Sequence, residues 1–95
     1  KDIYDYLKME DVLKDLGGFW QTIVNPGKRL EPHSHENHEQ IYYILEGGGL
    51  LTVGEETRRV KKGDAIYIPP KTVHGFYNDT SKPCIIIMVD AIIEK

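Results

Sequence analysis

From Phe19 to Ile92 the chain is cut into short apolar, β-branched and aromatic segments by glycine, proline and asparagine. Each segment has the length of a strand, and each interruption has the chemistry of a turn. Phe19–Val24 ends at Asn25-Pro26-Gly27, and Ile41–Leu45 runs into Gly47-Gly48-Gly49. Leu50–Val53 precedes Gly54, and Thr57–Val60 precedes Gly63. Ala65–Ile68 stops at Pro69-Pro70, Val73–Tyr77 at Asn78-Asp79, and Cys84–Ile92 closes the series. Proline cannot donate to a ladder and glycine readily takes the turn conformations that other residues avoid, so strands end where these residues fall. The pattern predicts an all-β domain, a sandwich or a barrel, over residues 19–92.

A different period precedes it. Met9, Val12, Leu13 and Leu16 follow i, i+3, i+4, i+7 spacing, the stripe of an amphipathic helix. Glu10 and Asp11 sit at its start, Lys14 near its end, and Gly17-Gly18 stops it, which predicts a short helical extension over residues 1–17. Ninety-five residues make one domain, 1–95. A core this small hides roughly two-thirds of the unfolded surface, so a second copy or a bound metal would add useful stability. The formal charge of −3 argues against a broad nucleic-acid surface. The basic run Arg58-Arg59-Val60-Lys61-Lys62 reads as a solvated strand end. One cysteine, Cys84, excludes an internal disulfide and reads as a small packed hydrophobe. No apolar run approaches the roughly 20 residues of a membrane helix. With no basic-apolar leader, the expectation is a soluble cytoplasmic protein with no nucleic-acid or membrane partner.

The chemistry begins at His33-Ser34-His35. In an extended chain, side chains two apart share a face, so one ion could accept both imidazoles. Taken alone the pair is a weak signal. Gln40, opening an apolar strand, and His74, beyond the Pro69-Pro70 turn, strengthen it.

In these spacings the chain resembles the cupin superfamily. The first cupin motif, G-x5-H-x-H-x(3 or 4)-E-x6-G, is matched by Gly27-x5-His33-x-His35-x4-Gln40-x6-Gly47. The second, G-x5-P-x-G-x2-H-x3-N, is matched by Gly63-x5-Pro69-x-Lys71-x2-His74-x3-Asn78. The resemblance covers residues 19 to 90. It implies a double-stranded β-helix, or jelly-roll barrel, with a divalent metal held by His33, His35, Gln40 and His74. Two positions depart from the motifs. Lys71 replaces a glycine, which bears on the turn. Gln40 stands where cupins usually carry glutamate, and Glu39 is adjacent. Neighbouring strand residues face opposite sides, so one of the two looks inward. Glu39 fits the shorter first gap but would need a bulge before Gly47, whereas both gaps select Gln40.

Ligation through a glutamine amide oxygen would leave the site its full double positive charge and favour an anionic ligand. The donor set admits zinc, iron, manganese, nickel or copper. Tyr42 and Ile44 share the parity of Gln40, and Phe76 that of His74, so these residues are expected to line the pocket. Tyr67 and Met88 are placed with them on the same reasoning. His38 is expected in an exposed loop and Asn78 at a turn. Asp90 is a candidate proton-transfer group only if it points inward, and a carboxylate at a strand's end more commonly faces out.

Cupins include isomerases, epimerases, lyases, dioxygenases, decarboxylases, storage proteins and sugar-sensing domains, so the fold does not fix the reaction. The resemblance implies a metal-dependent isomerase, lyase or dioxygenase acting on a small anionic molecule such as a sugar acid or other carboxylate. The His-His-Gln-His set is similar to that of small cupins converting unsaturated uronates, although no matching late arginine is present. The alternative is a non-catalytic binding or sensing module with a structural metal. Both parities of Ile41–Leu45 and Ile85–Val89 are apolar, so both sheet faces want cover and a homodimer is expected.

Overall fold

The computed structural model describes residues 15–93. Eight strands follow in chain order: β1 Leu16–Val24, β2 Arg29–His33, β3 His38–Glu46, β4 Gly48–Val53, β5 Glu56–Lys61, β6 Ala65–Ile68, β7 His74–Tyr77 and β8 Cys84–Ile92. They form two antiparallel four-stranded sheets, ordered β1-β8-β3-β6 and β2-β7-β4-β5. Consecutive strands repeatedly cross between sheets, the winding of a jelly roll.

The helix expected over residues 1–17 lies outside the described residues except at its end. There Leu16 and Gly17, assigned to its last turn, open β1 instead. Leu16 pairs with Ala91 and Gly18 with Asp90 across a register irregularity, so ladder bonds to β8 win over the local helical period. β2 had no apolar run to announce it. Glu31 and Pro32 sit within a short edge strand that pairs only with β7.

The core lies between the sheets and follows strict alternation. On β3, Gln40, Tyr42 and Ile44 are buried while Ile41, Tyr43 and Leu45 are exposed. On β8, Cys84, Ile86, Met88 and Asp90 point inward. Ile68 of β6 completes this layer, and Leu51, Val60 and Phe76 supply the facing one. Each fully buried aliphatic side chain contributes roughly 1.5–3 kcal/mol of transfer free energy.

Turns close the strands at both ends, the Gly27 and Gly63 turns at the end away from the histidines and the Lys71 turn beside them. Gly27 and Gly63 have φ of +78° and +93°, the left-handed region that favours glycine. Lys71 occupies the same region at +60°, where the cupin motif has its glycine. Its backbone N–H donates to the His35 carbonyl at 2.7 Å, tying the His74 turn to the His33–His35 segment. Fully buried Asn78 donates through Nδ2 to the carbonyls of Val24 and Lys82, and accepts at Oδ1 from the backbone N–H and hydroxyl of Thr80.

Candidate metal centre

Four donors from both sheets meet at one end of the sandwich. His33 closes β2 directly opposite His74, the first residue of β7. His35 lies two residues past His33, beyond the strand end, and Gln40 comes from β3 in the other sheet. Ring centroids are 4.3 Å apart for His33 and His74, 5.1 Å for His33 and His35, and 5.6 Å for His35 and His74. One ligating nitrogen from each of the three rings lies within 4.8 Å of the others.

Carbonyl neighbours set the tautomers. His33 Nδ1 bonds the Glu31 carbonyl at 2.7 Å, and His74 Nδ1 bonds the Thr72 carbonyl at 3.0 Å. A carbonyl only accepts, so both rings carry their proton on Nδ1 and present an Nε2 lone pair. Burial holds the His74 pKa below the usual histidine range. The Thr72 carbonyl opposes this, and the neighbouring His33 and His35 rings reinforce it. His74 is therefore kept neutral, the form that ligates.

Among the described residues, two buried side-chain atoms have no hydrogen-bond partner: His74 Nε2 and Gln40 Oε1. An orphaned buried polar atom costs roughly 1–3 kcal/mol, so a pair of them beside two further imidazoles calls for a shared electron-pair acceptor. Three imidazole nitrogens and one amide oxygen fit a divalent first-row cation. Gln40 Nε2 donates to Asp90 Oδ2 at 3.0 Å, and the other Asp90 oxygen meets His38 Nδ1 at 2.5 Å.

These groups open on a cavity of about 440 Å³, in the range that holds small-molecule ligands. Trp20, Thr22, Leu30, Tyr42 and Met88 form its remaining walls. The Tyr42 ring stands edge-on to His74 at 5.9 Å, and burial, followed by the nearby Asp90 carboxylate, pushes its hydroxyl pKa up to about 12.

Beyond geometry, a model of the cupin domain matches residues 20–90. The chain belongs to the cupin family. This cupin is 51% identical over 63 residues to an uncharacterized protein of Methanocaldococcus jannaschii, covering 66% of this chain and 50% of that one. It is 40% identical to the dimethylsulfoniopropionate lyase DddW of Ruegeria pomeroyi, covering 59% of this chain and 47% of the lyase. It superposes on the crystal structure of a predicted oxalate decarboxylase from Thermotoga maritima with a TM-score of 0.83. That match has 24% identity over 90% of this chain and 74% of that one, and it speaks to the fold alone. The chain spans half or less of the length of the curated relatives it matches.

Gln40, Tyr42 and Met88 face the cavity, while Glu39 faces outward and accepts from the Tyr67 hydroxyl at 2.7 Å. Several expectations need correction. Tyr67 is on the outer face, 53% exposed, because Ile66 and Ile68 take the inward positions of β6. Ile44 is core rather than wall: four residues beyond Gln40, it lies about 13 Å farther along the strand. Phe76 is likewise deeper, packed in the core two residues past His74. His38 is not in a loop but begins β3, with its ring on the Gln40 side of the strand. Asp90 points inward, its burial offset by the two bonds described above. Sequence reasoning missed Trp20, Thr22 and Leu30 as walls; Trp20-Gln21-Thr22-Ile23 shows no polar–apolar alternation that would mark the inner face.

The basic run offers no free cationic surface. Arg58 pairs with Glu56, Arg59 with Asp79, Lys61 with Asp64 and Lys62 with Glu46. No helix among the described residues is long and apolar enough to cross a membrane.

Proposed function

We propose that this cupin is a metal-dependent enzyme acting on a small anionic molecule, a sugar acid or other carboxylate, by isomerase, lyase or dioxygenase chemistry. The observation that carries the proposal is that Gln40, with its orphaned Oε1, lines a ligand-sized cavity with His33 and His35, and that the orphaned His74 Nε2 is clustered with those two rings. His33, His35, Gln40 and His74 would hold the ion, whether zinc, iron, manganese, nickel or copper. When bound, such a cation supplies a Lewis acid for a carboxylate or a neighbouring oxygen. The four donors are all neutral, which leaves the site complementary to a negative ligand.

The chain's own residues supply the rest. Trp20, Leu30 and Met88 give apolar walls that displace water from a bound ligand. His38, its Nδ1 held by Asp90, is the cavity side chain outside the donor set best placed to take or give a proton, at Nε2. The likeness to a lyase of dimethylsulfoniopropionate, a zwitterion with a carboxylate end, supports a carboxylate as the group bound.

The test is a screen of metal-loaded protein against uronates, keto acids and other small carboxylates, followed by NMR, with oxygen uptake recorded in parallel. Turnover that disappears in His74→Ala supports the proposal. Binding of a carboxylate without turnover across the panel replaces it with a non-catalytic binding module.

A further inference from the structure

We infer that Asp90 is the positioning residue of this centre: it aims the Gln40 oxygen at the histidines. The inference rests on the metal-centre reading above. Gln40 and Asp90 are direct cross-strand partners in the β3–β8 ladder, so their side chains meet on the inner face. Both are buried, at 5% and 4% exposure.

A glutamine amide has two orientations, and only one ligates. A carboxylate has acceptors and no donor, so Asp90 Oδ2 selects the amide nitrogen, and the oxygen is left on the opposite side. That oxygen is the orphaned one. Asp90 itself has little freedom to turn. His38 Nδ1 occupies Oδ1, and β1 passes so close that a Cβ on Gly17 would collide with that atom. Only a glycine leaves room there.

The same geometry explains why glutamine stands at this position. A glutamate in its place would set two buried carboxylates against each other at about the present 3.0 Å contact, an arrangement that like charges oppose. Gln40 and Asp90 are thus a matched pair, amide against carboxylate, and exchanging the two chemistries should restore the match. In the double variant Gln40→Glu/Asp90→Asn, the introduced asparagine donates from its Nδ2 to the introduced glutamate, while its Oδ1 still accepts from His38. Asp90→Asn alone breaks the match: if its oxygen stays on His38, its nitrogen turns the Gln40 oxygen away from the histidines.

The experiment is a cobalt(II) titration of the wild type, Gln40→Glu, Asp90→Asn, Gln40→Glu/Asp90→Asn and His74→Ala. It is read by calorimetry and by the visible ligand-field spectrum, with thermal melts of the metal-free proteins alongside. Each single change at 40 or 90 is expected to weaken cobalt binding by about ten- to a hundred-fold and alter the spectrum, and the double variant to recover most of the loss. Additive losses in the double variant, or an Asp90→Asn protein that binds like the wild type, overturn the inference and leave the metal centre standing, provided His74→Ala binds poorly. A wild type that takes up no cobalt overturns the metal centre and the inference together.

Discussion

Lys71 holds a conformation that costs free energy, and glycine should recover it. Its φ of +60° puts a side chain in the left-handed region, where the Cβ crowds the following carbonyl at a cost of roughly 1–2 kcal/mol. Glycine avoids that crowding but loses more backbone freedom on folding, which returns roughly 0.5–1 kcal/mol. The difference predicts that Lys71→Gly stabilises the domain by about 0.5–1 kcal/mol. In a domain of this size, that is a rise in Tm of about 2–8 °C. Lys71→Ala removes the exposed side chain and keeps the strained φ, so it should leave Tm nearly unchanged. Scanning calorimetry on the metal-free proteins measures both. The bond from the residue 71 N–H to the His35 carbonyl does not depend on the side chain, so the histidine segment stays anchored in each variant. A Lys71→Gly protein that melts no higher than the wild type, or a Lys71→Ala protein that gains equally, refutes the strain account.

Ile86 is fully buried between the sheets, so Ile86→Ala should cost about 2–5 kcal/mol by urea unfolding with an unchanged m-value. Tyr42 bears on alkaline stability. Its hydroxyl titrates at about 12 when folded and near 10 in the open chain, so its contribution is intact below pH 10 and is lost as pH rises toward 12. The loss approaches about 2–3 kcal/mol, and Tyr42→Phe should flatten the decline seen in denaturant melts from pH 9 to 12. The outer face of the β1-β8-β3-β6 sheet exposes Phe19, Ile23, Ile41 and Tyr43, and we propose that two copies pair there. Light scattering should give twice the chain mass and Ile41→Lys should halve it; a monomeric wild type at micromolar concentration rules the pairing out.

The donor set was legible because spacing between turns fixes both depth and face. Gly27 and Gly47 bracket His33, His35 and Gln40, and Pro69 and Asn78 bracket His74. His38 was lost through a boundary. Starting β3 at Gln40 left His38 in a loop, whereas the period of two, carried back one step, places it on the Gln40 face. Asp90 shares parity with Ile86 and Met88, but the usual exposure of carboxylates pointed the other way. What makes its burial tolerable, a cross-strand amide and a histidine more than fifty residues away, is a property of the register between strands. Tyr67 was illegible for another reason. Ala65–Ile68 is apolar at both parities, and only the pairing of Ile68 with Gln40 shows which set faces in.

The metal centre is tested by the metal content of tag-free protein purified without chelator, with His74→Ala prepared in parallel. Near-stoichiometric metal in the wild type, lost in the variant together with a lower Tm, is the predicted result. An empty wild type that also takes up none of zinc, iron, manganese, nickel or copper, or a variant with undiminished metal, would contradict it.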